Sequence, residues 1–79
     1  MNFSQELLHE LNLLALYDLE TTQAGLKVHA TSADTAMVAA AERLYAKGLI
    51  TQNDGGYLTA MGHETAELAQ NLLGLLNPN

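Results

Sequence analysis

The 79-residue chain contains no cysteine and only three basic residues. The first shortage excludes cysteine chemistry, and the second argues against strong nucleic-acid binding. Without cysteine it can form no disulfide, no thiolate metal ligand and no thiol nucleophile. Affinity for nucleic acid grows with the number of phosphates that cations neutralise, so Lys27, Arg43 and Lys47 are a small supply. The composition therefore opposes a disulfide-stapled protein outright and gives little electrostatic support to nucleic-acid binding.

Long hydrophobic runs are absent as well. The leucine-rich stretches at 7–16 and 68–76 are interrupted by polar residues and are too short to span a bilayer. The first residues show neither a basic segment ahead of the leucines nor a small-residue cleavage site, the marks of a secretory signal. Apolar residues make up 48% of the chain, which is enough for one compact core. We therefore expect a cytoplasmic protein that folds as a single domain over residues 1–79.

The formal net charge is −6, and it is distributed unevenly along the chain. Residues 1–20 contain four acids and no base, and residues 52–79 contain three acids and no base. All three cations lie between these segments, together with two acids. The middle of the chain is therefore expected to present a small basic spot on a molecule that, as a whole, repels polyanions.

Three segments have the hydrophobic spacing of helices. The first runs over 4–17 with Ser4 as its N-cap, the second over 34–47, and the last over 59–76 with Thr59 as its N-cap. Apolar residues at helical spacing predict the core-facing sides of the first and last helices. These residues are Leu7, Leu8, Leu11, Leu14 and Ala15 in the first helix, and Ala66, Ala69, Leu73 and Leu76 in the last.

Residues 18–33 allow two interpretations. Thr21 and Thr22 are suitable caps for a short helix that would end at Val28, which would give about four helices in all. Alternatively, apolar residues alternate with polar ones from Leu26 onward, a pattern typical of a strand. Gly25 disfavours the helix, and the sequence leaves both structures open.

The segment between the last two helices predicts a tight β-hairpin. Lys47 and Gly48 end a helix, because lysine suits the negative end of the helix dipole and glycine the left-handed position after it. Asp54-Gly55 is a strong hairpin signal, because both residues tolerate positive φ. Leu58 and Thr59 then lead the chain into the last helix.

This order resembles the winged helix-turn-helix superfamily of bacterial regulators. The resemblance covers about a quarter of the chain and rests on Leu44, Lys47-Gly48-Leu49-Ile50, the turn at 53–56, Leu58-Thr59 and Gly62. The whole chain also resembles an uncharacterised family of short proteobacterial proteins that are often labelled as DNA-binding. The resemblance implies a mostly helical α+β fold of about four helices with a β-hairpin wing, and a regulator-like function on double-stranded DNA.

In such a domain the helix at 34–47 would enter the major groove. Its first turns offer Thr35 as the one candidate base reader, since most of the neighbouring residues are alanines. We expect the remaining contacts to go to the phosphate backbone or, from the wing, to the minor groove. The candidates for these contacts are Lys27, Arg43, Lys47, Gln52 and Asn53.

A competing hypothesis is an acidic protein-interaction module or homodimer that does not bind DNA. Leu68, Leu72 and Leu75 form a second apolar stripe on the last helix, beside the stripe that faces the core. Either a second chain or the first helix should cover this stripe. The first outcome predicts a dimer or partner interface, and the second a self-sufficient monomer.

Catalytic and metal-binding patterns are absent from the sequence. His9, His29 and His63 lie far apart, and no two of them have the i, i+4 spacing of a helical metal site. Gly55-Gly56 lacks the following helix and lysine of a phosphate-binding loop. We therefore expect no enzyme activity, no metal and no cofactor.

Overall fold

The computed structural model describes residues 1–21, 23–29 and 35–77, which form three helices and a three-stranded antiparallel sheet. The elements follow one another in the order α1 (Gln5–Leu14), β1 (Leu26–Lys27), α2 (Thr35–Ala46), β2 (Ile50–Gln52), β3 (Gly55–Leu58) and α3 (Ala60–Leu76). The predicted α+β class is confirmed, and the arrangement is compatible with a winged helix. The prediction of about four helices is wrong for the described residues, which contain three.

The additional helix was one of the two structures that the sequence allowed at residues 21–28, and the structure has the other, the strand β1. Thr22, one of the caps considered for that helix, lies outside the described residues. Leu26 and Lys27 pair antiparallel with Gly56 and Gly55, so the strand order is β1-β3-β2. Leu26 is partly buried and Lys27 is exposed, as the alternating pattern predicted for a strand. Pairing with β3, which is distant in the sequence, therefore decides between the helix and the strand that the local sequence left open.

Short polar side chains cap α1 and α3 as predicted. The Ser4 hydroxyl accepts a hydrogen bond from the Leu7 backbone N–H at 3.1 Å, and the Thr59 hydroxyl accepts one from Gly62 N–H at 3.0 Å. Thr59 also donates to the Gly48 carbonyl at 2.7 Å. The cap of α3 is therefore tied directly to the end of α2.

The end of α2 and the hairpin turn both use left-handed glycines. Gly48 has φ of 77°, and Leu49 N–H returns to the Leu44 carbonyl while Gly48 N–H returns to Tyr45, the pattern of a Schellman motif. At the turn, Gly55 and Gly56 have φ of 128° and 75°. These angles confirm the predicted helix stop and hairpin.

The core lies where α1 packs across α2 and α3. Its larger buried side chains include Leu13, Leu14, Leu44 and Ile50, and four alanines of α2 and α3 complete it. Leu7 and Leu8 of the predicted core stripe are partly exposed, and so are Leu73 and Leu76. The prediction that these four leucines face the core is wrong, because the buried side of α1 contains Glu10, Leu13 and Leu14, and the buried side of α3 contains Gly62, Ala66 and Ala69.

None of the helices in the described part of the chain is both long and apolar enough to cross a membrane.

Candidate functional site

Two of the candidate DNA contacts, Arg43 and Lys47, converge on one carboxylate of α1. Arg43 Nε donates to Glu10 Oε2 at 2.8 Å, and Lys47 Nζ donates to Glu10 Oε1. Arg43 also donates to the Glu6 backbone carbonyl at 3.1 Å. Glu10 itself is only 4% exposed. The two cations are therefore directed at α1, where they compensate a buried negative charge.

Burial alone would raise the pKa of the Glu10 carboxyl. Hydrogen bonds from Lys47 and Arg43, together with their positive charges, outweigh this effect and hold the pKa below its usual value. Glu10 is thus ionised at neutral pH, and the cluster of Glu10, Arg43 and Lys47 is a charge-compensated unit. We call it the Glu10 cluster.

The third cation, Lys27, lies at the hairpin. Its Nζ is 3.1 Å from Asp54 Oδ2, and both side chains are open to solvent. Val28 N–H donates to the Asp54 carbonyl at 2.7 Å, which holds β1 against the turn. Every basic side chain of the protein is therefore within ion-pair distance of a carboxylate.

The uncharged members of the predicted DNA site are all exposed. Thr35 is the first residue of α2, and Gln52 and Asn53 lie at the end of β2 and in the turn that follows. The structure brings Arg43 and Lys47 together through Glu10, and Lys27 to the turn residue Asp54. It does not gather the three cations into one cluster.

Glu10 is the residue of this cluster that the sequence analysis did not single out. Its position along the helix indicates that it is buried, because Leu13 and Leu14 lie three and four residues further along α1 and are both buried. Glu10 therefore shares the core-facing side of its helix. An acid at such a position requires a cation or several donors nearby.

Exposed apolar side chains line two grooves beside α1. One groove between α1 and α3 contains Phe3 and Leu11 together with Leu72 and Leu76, and a second groove on the other side of α1 also contains Phe3 and Leu11. Beside the first groove, Leu68 and Leu75 are 70% and 78% exposed. We call this combined surface the apolar face; its members are Phe3, Leu7, Leu8, Leu11, Leu68, Leu72, Leu75 and Leu76.

A cavity of about 410 Å³ lies at the other end of α1, beside Tyr17 and His63. His63 Nε2 is 3.2 Å from the Leu19 carbonyl, and since a carbonyl only accepts, this nitrogen carries the proton. Asp18 Oδ1 accepts from Glu20 N–H at 2.9 Å. These bonds give the imidazole and the carboxylate structural roles in the turn after α1.

The Tyr17 hydroxyl is buried and has no hydrogen-bond partner in the described part of the protein. Burial raises the pKa of this phenol, so it remains neutral.

Within residues 1–21, 23–29 and 35–77, no group of three potential ligand side chains could hold a metal ion. His9 is engaged with Gln5, at 3.3 Å between their Nε2 atoms.

Comparison with known proteins gives one match. Neither the curated proteins nor the solved structures contain a match to this chain. A family model matches residues 1–77, nearly the whole sequence, and the chain therefore belongs to the family described as "Family of unknown function (DUF5669)".

Proposed function

We propose that this protein is a small acidic interaction domain, without enzymatic activity, that binds another protein chain through its apolar face. The observation that carries the proposal is the exposure of Leu68 and Leu75 beside the groove that contains Leu72. Leu68, Leu72 and Leu75 follow one another at intervals of four and three residues, so they lie on one side of α3. A contiguous exposed apolar patch of this kind is typical of a protein-binding surface.

Energetics support the same proposal. Burying one leucine side chain contributes about 1.5–3 kcal/mol, and the leucines of α3 remain largely unburied within the chain. Burial of these leucines by a partner therefore makes a large favourable contribution to the binding free energy, without any charged contact. The end of α3 from Leu68 onward carries no charged side chain, so binding there needs no desolvation of an ion.

Site-specific photo-crosslinking in cells tests the proposal. A photoreactive residue at Leu75 should yield adducts with a protein chain, whereas the same residue at exposed Gln52 should yield none. Loss of the Leu75 adduct in a Leu72→Lys background would connect the adduct to the apolar face. No protein adduct at Leu75, or equal adducts at both positions, would contradict the proposal.

DNA binding is the second candidate, and one observation favours it. Thr35, Gln52 and Asn53 are exposed on α2 and the hairpin, the elements that a winged helix would present to a duplex. Arg43 and Lys47 already pair with the buried Glu10 carboxylate, so their positive charge is partly compensated and attracts phosphates less than that of free cations would. We therefore propose DNA binding only as the second candidate, after binding of a protein partner.

A titration with mixed duplex DNA at low and moderate salt decides the second candidate. If DNA is bound, Arg43→Ala or Lys47→Ala should lower the salt slope by about one unit for each lost phosphate contact. Thr35→Ala should instead change the preference among DNA sequences, because contacts to the bases determine which sequence is bound. The absence of salt-sensitive affinity for any duplex at low ionic strength would eliminate this candidate.

A further inference from the structure

The exposed side of α3 carries negative charge as well as leucines. Glu64 and Glu67 are both exposed, and they lie four residues and one residue before Leu68. Residues that are three or four positions apart share one side of a helix, so Glu64 continues the line of Leu68 and Leu72 toward the start of α3. The apolar face is therefore bordered by two carboxylates at one end.

The basic side chains of the protein do not neutralise these two carboxylates. Lys27 pairs with Asp54 at the hairpin, and the other two basic side chains belong to the Glu10 cluster. Among the described residues, no cation lies within ion-pair distance of the two acids of α3. Their negative charge is therefore available to a binding partner.

This charge argues against two of the possible occupants of the apolar face. A second copy of the chain has a net charge of −6, and its three basic side chains are already paired, so it brings no cation to Glu64. A polyanionic surface, such as an anionic membrane, is repelled for the same reason. A protein segment that combines basic with apolar side chains complements both parts of the surface.

The groove between α1 and α3 limits the size of the apolar group that enters it. Its volume is about 170 Å³, whereas pockets for small molecules measure about 300–1,000 Å³. The groove therefore suits a single large side chain of a partner. Leu72, in its wall, lies eight residues after Glu64, which is about 12 Å along the helix axis. A helix that lies along α3 would need a basic residue about two turns from the side chain in the groove.

We infer that the apolar face binds a basic amphipathic helix of another protein, with one large apolar side chain in the α1–α3 groove and a lysine or arginine beside Glu64 and Glu67. This inference deepens the proposed interaction domain and rests on that proposal. Burial of the leucines supplies most of the affinity, because apolar burial dominates protein association. The carboxylates mainly orient the helix and speed its association, because exposed ion pairs contribute little affinity.

Two synthetic peptides test the charge of the partner. Both are amphipathic helices of about 18 residues, or five turns, with the same leucine stripe. One has arginines two turns from its central leucine, and the other has glutamates at the same positions. Fluorescence anisotropy at low ionic strength should show saturable binding of the arginine peptide, weakened by added salt, and about tenfold weaker binding of the glutamate peptide. Equal binding of the two peptides, or no binding of the arginine peptide, would overturn the inference.

Matched protein variants distinguish a defined site from general attraction to an acidic protein. Glu64→Gln and Glu67→Gln should each weaken binding of the arginine peptide about two- to fivefold. Glu42→Gln removes the same charge from an exposed position of α2 and should leave binding unchanged. Leu75→Lys, at a position 78% exposed, should abolish binding while circular dichroism shows an unaltered helix content. Equal weakening by the three glutamine variants would mean that only net charge matters, and this result would overturn the inference.

The inference and the proposed interaction domain fail by different outcomes. A photo-crosslink from Leu75 to a segment without basic residues, or to a second copy of the chain, would support the interaction domain and overturn the basic helix as its partner. The absence of a protein adduct at Leu75 would contradict the interaction domain itself. An adduct that maps to a basic amphipathic segment, and that is reduced by Glu64→Gln but not by Glu42→Gln, is the result that we expect.

Discussion

Arg43 Nε lies 2.8 Å from Glu10 Oε2, and this contact joins a side chain that is 28% exposed to one that is 6% exposed. The two residues are separated by 33 positions in the sequence and belong to different helices. The pair therefore fixes α1 against α2 by a directional contact at the edge of the core.

Glu10→Gln should lower the free energy of unfolding by about 2 kcal/mol. Removing one partner of a fully buried ion pair costs about 3–5 kcal/mol, and the cost is smaller here because Arg43 and Lys47 both reach solvent. Urea denaturation at pH 7 measures the change. The matched control is Glu42→Gln, an exposed position on α2, for which we expect a change within about 0.5 kcal/mol. Equal losses in the two variants would show that the Glu10 cluster does not stabilise the fold.

The same cluster should make stability sensitive to acid. The folded-state pKa of Glu10 lies below the ordinary value of 4.5, so below pH 4.5 the unfolded chain binds a proton more readily than the folded chain. The contribution of Glu10 is therefore fully present at neutral pH and is lost as the pH falls from 4.5 through the folded pKa. The difference in unfolding free energy between the parent and Glu10→Gln, measured from pH 7 to pH 3, should shrink in this window. A constant difference would contradict the assignment.

Tyr17→Phe should leave stability unchanged or raise it by about 1 kcal/mol. The Tyr17 hydroxyl is buried without a partner in the described residues, and an unsatisfied buried polar group costs about 1–3 kcal/mol. Removing one oxygen eliminates this cost while the ring keeps its packing. Thermal denaturation should show a melting temperature equal to or above that of the parent. A fall of several degrees would reveal that the hydroxyl has a stabilising partner.

Two glycines of α3 should respond to alanine with opposite signs. A Cβ on Gly62 would lie 1.8 Å from the Leu49 carbonyl oxygen, so Gly62→Ala should cost about 2–3 kcal/mol through forced separation of α3 from the hairpin. A Cβ on Gly74 meets nothing within 4 Å, so Gly74→Ala should gain about 0.5 kcal/mol from helix propensity. Denaturant midpoints of the two variants on either side of the parent would confirm the close contact at Gly62 and the open space at Gly74.

The features that the sequence predicted well are those encoded locally. The hairpin follows from the backbone freedom of Gly55 and Gly56, and the helix caps follow from single side chains at Ser4 and Thr59. Each needs only neighbours within a few residues. Strand β1 was ambiguous because its partner, β3, lies about thirty residues away and supplies the hydrogen bonds that decide the structure.

The candidate site was less predictable for the same reason. Arg43 and Lys47 were recognised as cations but were assigned to phosphates, because nothing near them in the sequence shows that Glu10 faces them. Leu73 and Leu76 were assigned to the core because they continue the hydrophobic period of α3, and that period does not show which of its positions another element covers. Whether DNA or a second chain is the partner depends on these long-range contacts, so both remain predictions for experiment.

The groove that contains both Phe3 and Leu76 has a practical consequence for labelling the protein. Any tag or fluorescent fusion joined ahead of Phe3 or behind Leu76 begins at the apolar face and would interfere with the binding proposed there. A fluorophore is better placed at Glu42, which is exposed on α2. Since the 79-residue sequence has no cysteine, Glu42→Cys provides a unique thiol in this chain for maleimide chemistry, and residues 1 and 79 stay unmodified.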